Sequence, residues 1–423
     1  MKIYAASHLL PVSSPAIEGG ALVVENGKIV AVGKLSELTA AFPAPVIENP
    51  GCAIIPGLVN AHSHLELTHF PSWKVRKGID YSPRTYVDWI IQVIKIRRSL
   101  SPEEQDHSVL EGIRISLESG TTALGEILSD PALLSLYLRS PLVGRVYLEA
   151  IGQTPQRCAD VLSAIGETLP LFSGTDLAPG ISPHAPHTVS EDFFRELRDY
   201  TALQALPLMI HLAESREEST FFFDSSGPIA EKLYPFVDWS EHLPPARRIS
   251  PAAYLDSLGV LRPGTALVHC VQLAPSDAEL LKKRRAAVVL CPRSNEKLDV
   301  GAAPVHLLKA AGIPLALGTD SLASNDSLSL FDEARFLLKR FPDQFSPGEV
   351  LRMMTLTGAE VLGRGTEIGS LEQGKRGDFL VISLPENPGK DLALEIITAG
   401  TLREVFIQGN SLHNAAAATM AEL

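Results

Sequence analysis

The sequence predicts an α/β protein, namely a (β/α)8 TIM barrel with a second, smaller β-sandwich domain built from both chain ends. Three observations predict this fold class. The middle of the chain alternates apolar, strand-length segments with helical ones, which is typical of βαβ units. Histidines and acidic residues recur where those strands end. The chain ends instead carry short strands and turns, and 423 residues suffice for a large barrel plus a small domain.

The chain ends are similar to each other in their strand and turn pattern. Residues 20–24 and 28–32 are short, mostly apolar segments on either side of Asn26-Gly27, which is a strong hairpin signal. Residues 377–382 and 405–410 also have the composition of strands followed by turns. We therefore assign residues 1–55 and 366–423 to one composite β-sandwich domain.

The middle of the chain, residues 56–365, is predicted to form the barrel. The eight predicted strands are residues 54–64, 121–127, 145–151, 177–184, 208–214, 266–271, 287–292 and 314–320. Helical patterns lie between them, for example at 190–204, 276–285 and 304–311, and a helical stretch at 347–362 follows the last strand. Eight strand–helix units in succession predict a closed parallel barrel.

Two connections are longer than plain barrel loops. One spans residues 69–108 and contains a helical pattern at 85–98, and the other spans residues 215–265. Long loops at the carboxyl end of a barrel commonly build the substrate pocket. We therefore expect both inserts to border the functional site.

Composition narrows the class of protein. The formal net charge is −12, and no basic cluster stands out, so no nucleic-acid partner is expected. The apolar runs are strand-length, so no membrane association is expected. The N-terminus lacks the pattern of a signal peptide, and the four cysteines form no CxxC pair. We expect a cytoplasmic protein that acts on a small molecule.

Residues suited to metal binding mark several strand ends. His62 and His64 follow the apolar run 53–61, and residues two apart share a face of a strand, so both rings can reach one ion. Later strands end in His184, in His211 with Glu214, in His269 and in Asp320, and Ser294-Asn295 follows strand seven. Such side chains are costly to bury unless they are paired or ligated.

At these residues the chain resembles the amidohydrolase superfamily over essentially its whole length. The resemblance implies one divalent metal per chain, Zn²⁺ or alternatively Fe²⁺, held by His62, His64, His211 and Asp320. Members that bind two metals usually carry a carboxylated lysine at strand three or four. Glu149 and His184 stand at those ends here, so a single metal is expected.

The resemblance also implies catalytic roles. Asp320 would accept a proton from the attacking water, and Glu214 would carry a proton to a ring nitrogen of the substrate and then to the leaving amine. His269 would hydrogen-bond the reacting centre; the alternative is a core histidine satisfied by backbone. The expected substrate contacts are His184, Ser294, Asn295 and Glu66.

Within this superfamily the chain is most similar to the aminodeoxyfutalosine deaminases of the futalosine route to menaquinone. The similarity lies in His62-Ser63-His64-Leu65-Glu66, in Val87-Asp88-Trp89-Ile90, and in Ser119-Gly120-Thr121-Thr122 with Gly125-Glu126-Ile127. It implies conversion of 6-amino-6-deoxyfutalosine to futalosine and ammonia. Glu66 would accept from ribose hydroxyls, or would instead form a structural salt bridge. The cation that meets the substrate's benzoate could be Arg84, Arg97 or Arg216.

Other functions stay open at this point. The same scaffold serves methylthioadenosine, S-adenosylhomocysteine and adenosine deaminases, guanine-type deaminases and chlorohydrolases. A barrel kept only for binding should have lost a metal ligand or the glutamate, and this chain retains them all. Barrels of this kind often form homodimers, which we take as a further expectation.

Overall fold

The computed structural model describes residues 1–79 and 81–412, and it contains two sheets of eight strands each. Residues 413–423 of the predicted end domain, including His413, for which no role was expected, lie outside the described residues. No helix of the described ranges is both long and apolar enough to span a bilayer.

The first sheet begins with the N-terminal segment. Its elements are β1 Lys2–Leu9, β2 Ile17–Glu18, β3 Gly20–Glu25, β4 Lys28–Lys34, α1 Leu35–Ala41 and β5 Val46–Pro56. Strands β3 and β4 pair antiparallel across Asn26 and Gly27, whose φ values of 50° and 76° suit a two-residue hairpin turn. The predicted hairpin is confirmed.

The second sheet is the barrel. Its strands are β6 Leu58–Ser63, β7 Thr121–Leu128, β8 Val143–Ala150, β9 Leu177–Pro183, β10 Leu208–Leu212, β11 Thr265–His269, β12 Ala287–Leu290 and β13 Leu315–Leu317. Each strand pairs parallel with the next along the chain. The last strand meets the first where the amides of Thr319 and Asp320 both donate to the His62 carbonyl, at 3.1 and 3.2 Å. The predicted barrel is confirmed, and its closure brings Asp320 beside His62.

The strand predicted at residues 54–64 is wrong as a single element. Residues up to Pro56 belong to β5 of the first sheet, which we call the end sheet because both chain ends form it. The barrel strand β6 starts at Leu58. Gly57 lies between them, and a Cβ there would come within 2.1 Å of Thr122 Oγ1. The chain therefore passes from one sheet to the other at a glycine, the residue type that tolerates this close approach because it has no Cβ.

Helices cover the outside of the barrel and line its mouth. They are α2 Phe70–Arg76, α3 Tyr86–Arg97, α4 Pro102–Glu118, α5 Leu134–Leu138, α6 Pro155–Thr168, α7 Glu191–Leu203, α8 Arg216–Asp224, α9 Tyr234–Phe236, α10 Pro251–Ser257, α11 Pro275–Arg284, α12 Pro292–Lys297, α13 Val305–Ala310, α14 Leu330–Arg340, α15 Pro347–Met353 and α16 Leu356–Val361. The helical stretch predicted at 347–362 is divided into α15 and α16, and Gly358 of α16 packs closely on Val59 of β6.

The chain returns to the first sheet after the barrel. The elements are β14 Phe379–Ser383, α17 Leu392–Thr398, β15 Thr401–Ile407 and β16 Asn410–Ser411. Strand β14 pairs with β5, so both chain ends form one mixed sheet. The rings of Tyr4, Phe379 and Phe406 pack together with centroids 4.5 to 5.0 Å apart inside this sheet's own core. Leu380 and Ile382 of β14 belong to the barrel's core cluster, which joins the two parts.

Candidate active site

Three histidine rings converge at the carboxyl end of the barrel. His62 lies on β6, His64 one residue beyond it and His211 on β10. The Nε2 atom of His211 lies 3.3 Å from Nε2 of His62 and 3.3 Å from Nε2 of His64. One ligand atom from each ring falls within 4.8 Å of the others. The structure thus brings together three of the four expected metal ligands.

The three rings can offer nitrogen lone pairs to a shared cation. His211 Nδ1 donates to the His184 carbonyl at 2.8 Å, so its Nε2 carries no hydrogen. Burial lowers the pKa of His62 and lowers the pKa values of His64 and His211 well below the usual range. Each neutral ring has one nitrogen lone pair that can bind a cation, and the Nε2 atoms of the three rings lie close together. The donor set therefore fits a divalent metal.

Asp320, the fourth expected metal ligand, lies beside the three histidines. Its Oδ1 lies 3.7 Å from Nε2 of both His62 and His64, and its Oδ2 accepts from the hydroxyls of Ser294 and Ser324, each at 2.7 Å. Burial opposes ionisation, but the neighbouring His62 and His64 hold the pKa of Asp320 well below its usual range. The carboxylate is therefore ionised, with one oxygen directed towards the histidines.

Strained backbone directs several of these side chains. Ala213, His269, Cys270 and Asp320 follow or end their strands with φ between 49° and 69°, in the left-handed region. For residues other than glycine this conformation costs on the order of 1–3 kcal/mol. Such strain clusters at functional sites, and here it turns the chain sharply where the side chains of His269 and Asp320 must face the barrel mouth.

Glu214 lies beside the histidine cluster and is buried. Its Oε2 accepts from the Tyr86 hydroxyl at 2.7 Å, and its Oε1 lies 3.6 Å from His269 Nε2. Burial raises the pKa of Glu214, and the nearby His269 and Tyr86 only partly oppose that shift. Burial therefore favours the protonated form of this carboxyl group beside the histidine cluster.

His269 is oriented by Asn295. His269 Nδ1 donates a hydrogen bond to the Asn295 amide oxygen at 2.9 Å, and Nε2 faces Glu214 Oε1 at 3.6 Å. Ser294 and Asn295 were expected to contact substrate. Both are buried and are hydrogen-bonded to Asp320 and His269 respectively, so the polar atoms seen here support the reacting groups from behind.

His184 lies at the mouth with a half-buried ring. Its centroid is 4.9 Å from that of His211, and its Nδ1 is 2.9 Å from Thr188 Oγ1. Burial lowers the pKa of His184 to about 4, so the ring is neutral. It is not part of the three-histidine cluster, and it is available to contact a bound molecule.

Glu66 is buried at the mouth beside an arginine. Its Oε2 accepts from Ser129 Oγ at 2.7 Å, and its Oε1 lies 3.5 Å from Arg97. Burial raises the pKa of Glu66, and the charge of Arg97 opposes that shift. Of the three arginines considered, Arg84 and Arg216 are exposed, whereas Arg97 is close to a predicted site residue.

Three further residues take part that the sequence did not single out individually. Tyr86 comes from the 69–108 insert, Ser324 from the loop after β13, and Glu126 from the middle of an apolar strand. Glu126 accepts from Ser63, which lies between the first two histidines. An acidic residue inside a buried strand was the one available signal, because a buried carboxylate needs partners.

Comparison with known proteins identifies the family. Residues 53–412 match the Amidohydrolase family, and residues 20–44 match the imidazolonepropionase-like composite domain of bacteria. An aminodeoxyfutalosine deaminase of Deinococcus radiodurans is 32% identical over 357 residues, covering 82% of this chain and 82% of that protein. A 5-methylthioadenosine/S-adenosylhomocysteine deaminase of Syntrophobacter fumaroxidans is 31% identical over 394 residues, covering 86% of this chain and 80% of that protein.

Solved structures agree with the predicted fold class. A Helicobacter pylori aminofutalosine deaminase in complex with methylthio-coformycin has a TM-score of 0.86 at 22% identity, covering 97% of this chain and 100% of that chain. An adenosine deaminase from Xanthomonas campestris with bound zinc has a TM-score of 0.80 at 25% identity, covering 100% of this chain and 97% of that chain. The chain belongs to the amidohydrolase family and is a hydrolytic enzyme of its deaminase branch.

Proposed function

We propose that this enzyme deaminates an adenine-nucleoside-type substrate in a metal-dependent reaction, and that the substrate is 6-amino-6-deoxyfutalosine. Water adds to C6 of the purine, the bond from C6 to the exocyclic nitrogen breaks, and futalosine and ammonia are the products. The observation that carries the reaction type is the convergence of His62, His64 and His211 beside the buried carboxyl group of Glu214. The similarity to the Deinococcus radiodurans deaminase supports the substrate.

We propose that His62, His64, His211 and Asp320 hold one divalent metal. Neutral imidazoles and a carboxylate suit Zn²⁺, and Fe²⁺ is the alternative. When bound, the metal supplies a Lewis acid that lowers the pKa of a water molecule towards neutrality. The zinc in the Xanthomonas campestris structure supports this choice of metal.

Glu214 is the proposed proton shuttle. Its Oε2 is engaged by the Tyr86 hydroxyl, so the transferable proton resides on Oε1. That proton moves to a ring nitrogen of the purine, which makes C6 more electrophilic. The resulting Glu214 carboxylate takes up a proton from the hydroxyl at C6 as the carbonyl forms, and it passes that proton to the departing amine. The proton held by Asp320 then restores the acid form of Glu214, which burial favours.

Asp320 and His269 act on the attacking water in this proposal. Asp320 Oδ1 accepts a proton, while its Oδ2 stays fixed by the hydroxyls of Ser294 and Ser324. Asn295 holds the His269 ring through Nδ1, so Nε2 is directed towards the hydroxyl that forms at C6 and can hydrogen-bond to it. Ser294 and Asn295 therefore act by positioning these two groups.

The nucleoside would lie across the mouth. We propose that Glu66 accepts from the ribose hydroxyls, because its Oε1 has no hydrogen-bond donor among the described residues and Arg97 favours its ionised form. His184 would contact the same molecule from the opposite strand end. A purely structural ion pair between Glu66 and Arg97 is the competing interpretation.

A substrate panel tests the choice of substrate. Zinc-loaded enzyme is assayed on 6-amino-6-deoxyfutalosine, methylthioadenosine, S-adenosylhomocysteine, adenosine, guanine and a chlorinated triazine, with ammonia and chloride release as readouts. We expect the highest kcat/KM on 6-amino-6-deoxyfutalosine. A higher value on methylthioadenosine or S-adenosylhomocysteine would favour the second candidate, which the 31% identical Syntrophobacter fumaroxidans deaminase supports. Chloride release alone would contradict the deaminase function.

A further inference from the structure

We propose that Glu126 is a positioning residue for the metal site, holding the segment that carries His64 in its binding geometry. Glu126 lies on β7, next to β6, and is fully buried. It touches none of the nitrogen atoms of the histidine cluster, and the catalytic groups described above do not use it. A carboxylate buried in an apolar strand needs strong compensation, so its partners indicate its role.

The carboxyl group of Glu126 accepts three hydrogen bonds. Oε2 accepts from Ser63 Oγ at 2.5 Å, and Oε1 accepts from the Leu65 amide at 2.7 Å and from the Tyr137 hydroxyl at 2.6 Å. Ser63 and Leu65 are the two neighbours of His64 in the chain. The carboxyl group therefore holds the chain on both sides of this histidine.

The backbone ladder does not hold this segment in the usual way. The pairing of β6 with β7 is irregular between Asn60 and Ser63, where it resumes opposite Glu126. Strand β6 ends at Ser63. His64, with φ −132° and ψ 79°, then leads into a short 3-10 helix at Leu65–Leu67. The Leu65 amide is thus satisfied by a side chain instead of a neighbouring strand, and the direction of His64 depends on that contact.

Groups that orient metal ligands have a measurable effect on affinity. Replacing such a group typically lowers metal affinity or activity by about 10- to 100-fold. The proposal rests on the metal site described above, and it is independent of the substrate. It predicts that Glu126 contributes to zinc affinity although it donates no atom to the metal.

The test measures zinc affinity by competition with a chromogenic chelator, alongside thermal unfolding of the metal-free protein. The variants are Glu126→Gln and the control Asp378→Asn, which alters another buried carboxylate that accepts a backbone amide, that of Gln408, in the end sheet. We expect the zinc Kd of Glu126→Gln to rise about 10- to 100-fold, and that of Asp378→Asn to match wild type. An unchanged Kd in folded Glu126→Gln overturns the proposal.

A second variant tests the same proposal in case Glu126→Gln does not fold. Ser63→Ala removes one of the three hydrogen bonds and leaves the carboxyl group in place. Weaker zinc binding by folded Ser63→Ala supports the proposal, and wild-type affinity overturns it. If the wild-type protein binds no zinc, the proposed metal site is contradicted and the role of Glu126 with it. If the zinc-loaded wild type deaminates none of the nucleosides tested, only the proposed substrate is contradicted, and the role of Glu126 is unaffected.

Discussion

At the scale of single residues, the two acidic groups of the site share one design. Each has one oxygen held by hydroxyl donors and the other directed towards the reacting region. Glu214 receives Tyr86 on Oε2, and Asp320 receives Ser294 and Ser324 on Oδ2. The held oxygen fixes the carboxyl plane, so the proposed proton transfers would use one defined atom in each group.

The shuttle role of Glu214 predicts the effect of an isosteric change. Glu214→Gln should bind zinc as wild type does and lose about 10²- to 10⁴-fold in kcat, because the amide cannot transfer the proton. Steady-state kinetics with metal analysis of the same sample measures both quantities. A metal-replete variant with kcat close to wild type would remove Glu214 from the mechanism.

The proposed ribose contact of Glu66 predicts a loss that depends on the substrate. Glu66→Ala should lower kcat/KM on intact nucleosides by about 10- to 150-fold, since a charge-assisted hydrogen bond contributes roughly 1.5–3 kcal/mol. Analogues without the ribose hydroxyls should be affected much less. Ser129→Ala, which removes the donor to Glu66 Oε2 and an acceptor for Arg97 but leaves the Glu66 carboxylate in place, is the control and should change both substrate classes little. Equal losses on both classes would make Glu66 structural.

At the scale of elements, helix α3 of the long insert covers the mouth of the barrel. Tyr86 at its first turn donates to Glu214 after β10, and Trp89 Nε1 donates to the Ala323 carbonyl after β13 at 3.1 Å. The helix is thus attached to two strand ends at once. The insert therefore contacts the proposed proton shuttle directly, in addition to covering the mouth of the barrel.

Removing the α3 hydroxyl should shift the pH profile. The Tyr86 hydrogen bond favours the ionised form of Glu214, so Tyr86→Phe should raise the pKa of Glu214 further. Because the proposed first step needs protonated Glu214, activity is lost as pH rises through that pKa. The basic limb of kcat/KM should therefore move to higher pH in Tyr86→Phe, with kcat reduced. A basic limb that stays in place or moves to lower pH would contradict this role.

The sequence predicted the elements better than the contacts between them. Apolar periodicity located all eight barrel strands and the α3 helix, because each signal is local. The division at Gly57 was missed, since the apolar run continues through it and only the approach of Thr122 makes it a boundary. The contact of Tyr86 with Glu214 joins residues 128 positions apart, and no local pattern encodes such a contact.

The residues suited to metal binding could be predicted from the sequence, because side chains at the carboxyl ends of successive strands share one face of a barrel. Ser294 and Asn295 were also located at that face, but their hydrogen bonds were not predictable. Which side chain they support depends on the turns at His269 and Asp320, where φ is positive. Such left-handed turns at residues other than glycine are set by tertiary structure and leave no sequence signal.

At the scale of the whole molecule, the proposed metal joins the first, fifth and last strands of the barrel. His62, His211 and Asp320 come from β6, β10 and the turn after β13, which are far apart in sequence. A metal bound only by the folded protein stabilises it by mass action, by about 2.7 kcal/mol when free metal is 100 times Kd. Metal binding and barrel closure should therefore be coupled.

This coupling predicts a change in stability on metal removal. Elemental analysis should give about one equivalent of divalent metal per chain, as one four-ligand site requires. Chelation should lower Tm, and added zinc should restore it. In His211→Ala the Tm should not respond to zinc, because a ligand is missing. Two tightly bound equivalents, or the same zinc response in His211→Ala, would contradict the proposed site.

The most direct test of the proposed chemistry is ammonia release from 6-amino-6-deoxyfutalosine, measured on one preparation in zinc-loaded and chelator-treated forms. Zinc-loaded wild type should release one ammonia per futalosine formed, at a higher kcat/KM than with methylthioadenosine. Chelator-treated protein should be inactive until zinc is returned. Ammonia release at the same rate without metal, or none from any adenine nucleoside with zinc bound, would contradict a metal-dependent adenine-nucleoside deaminase.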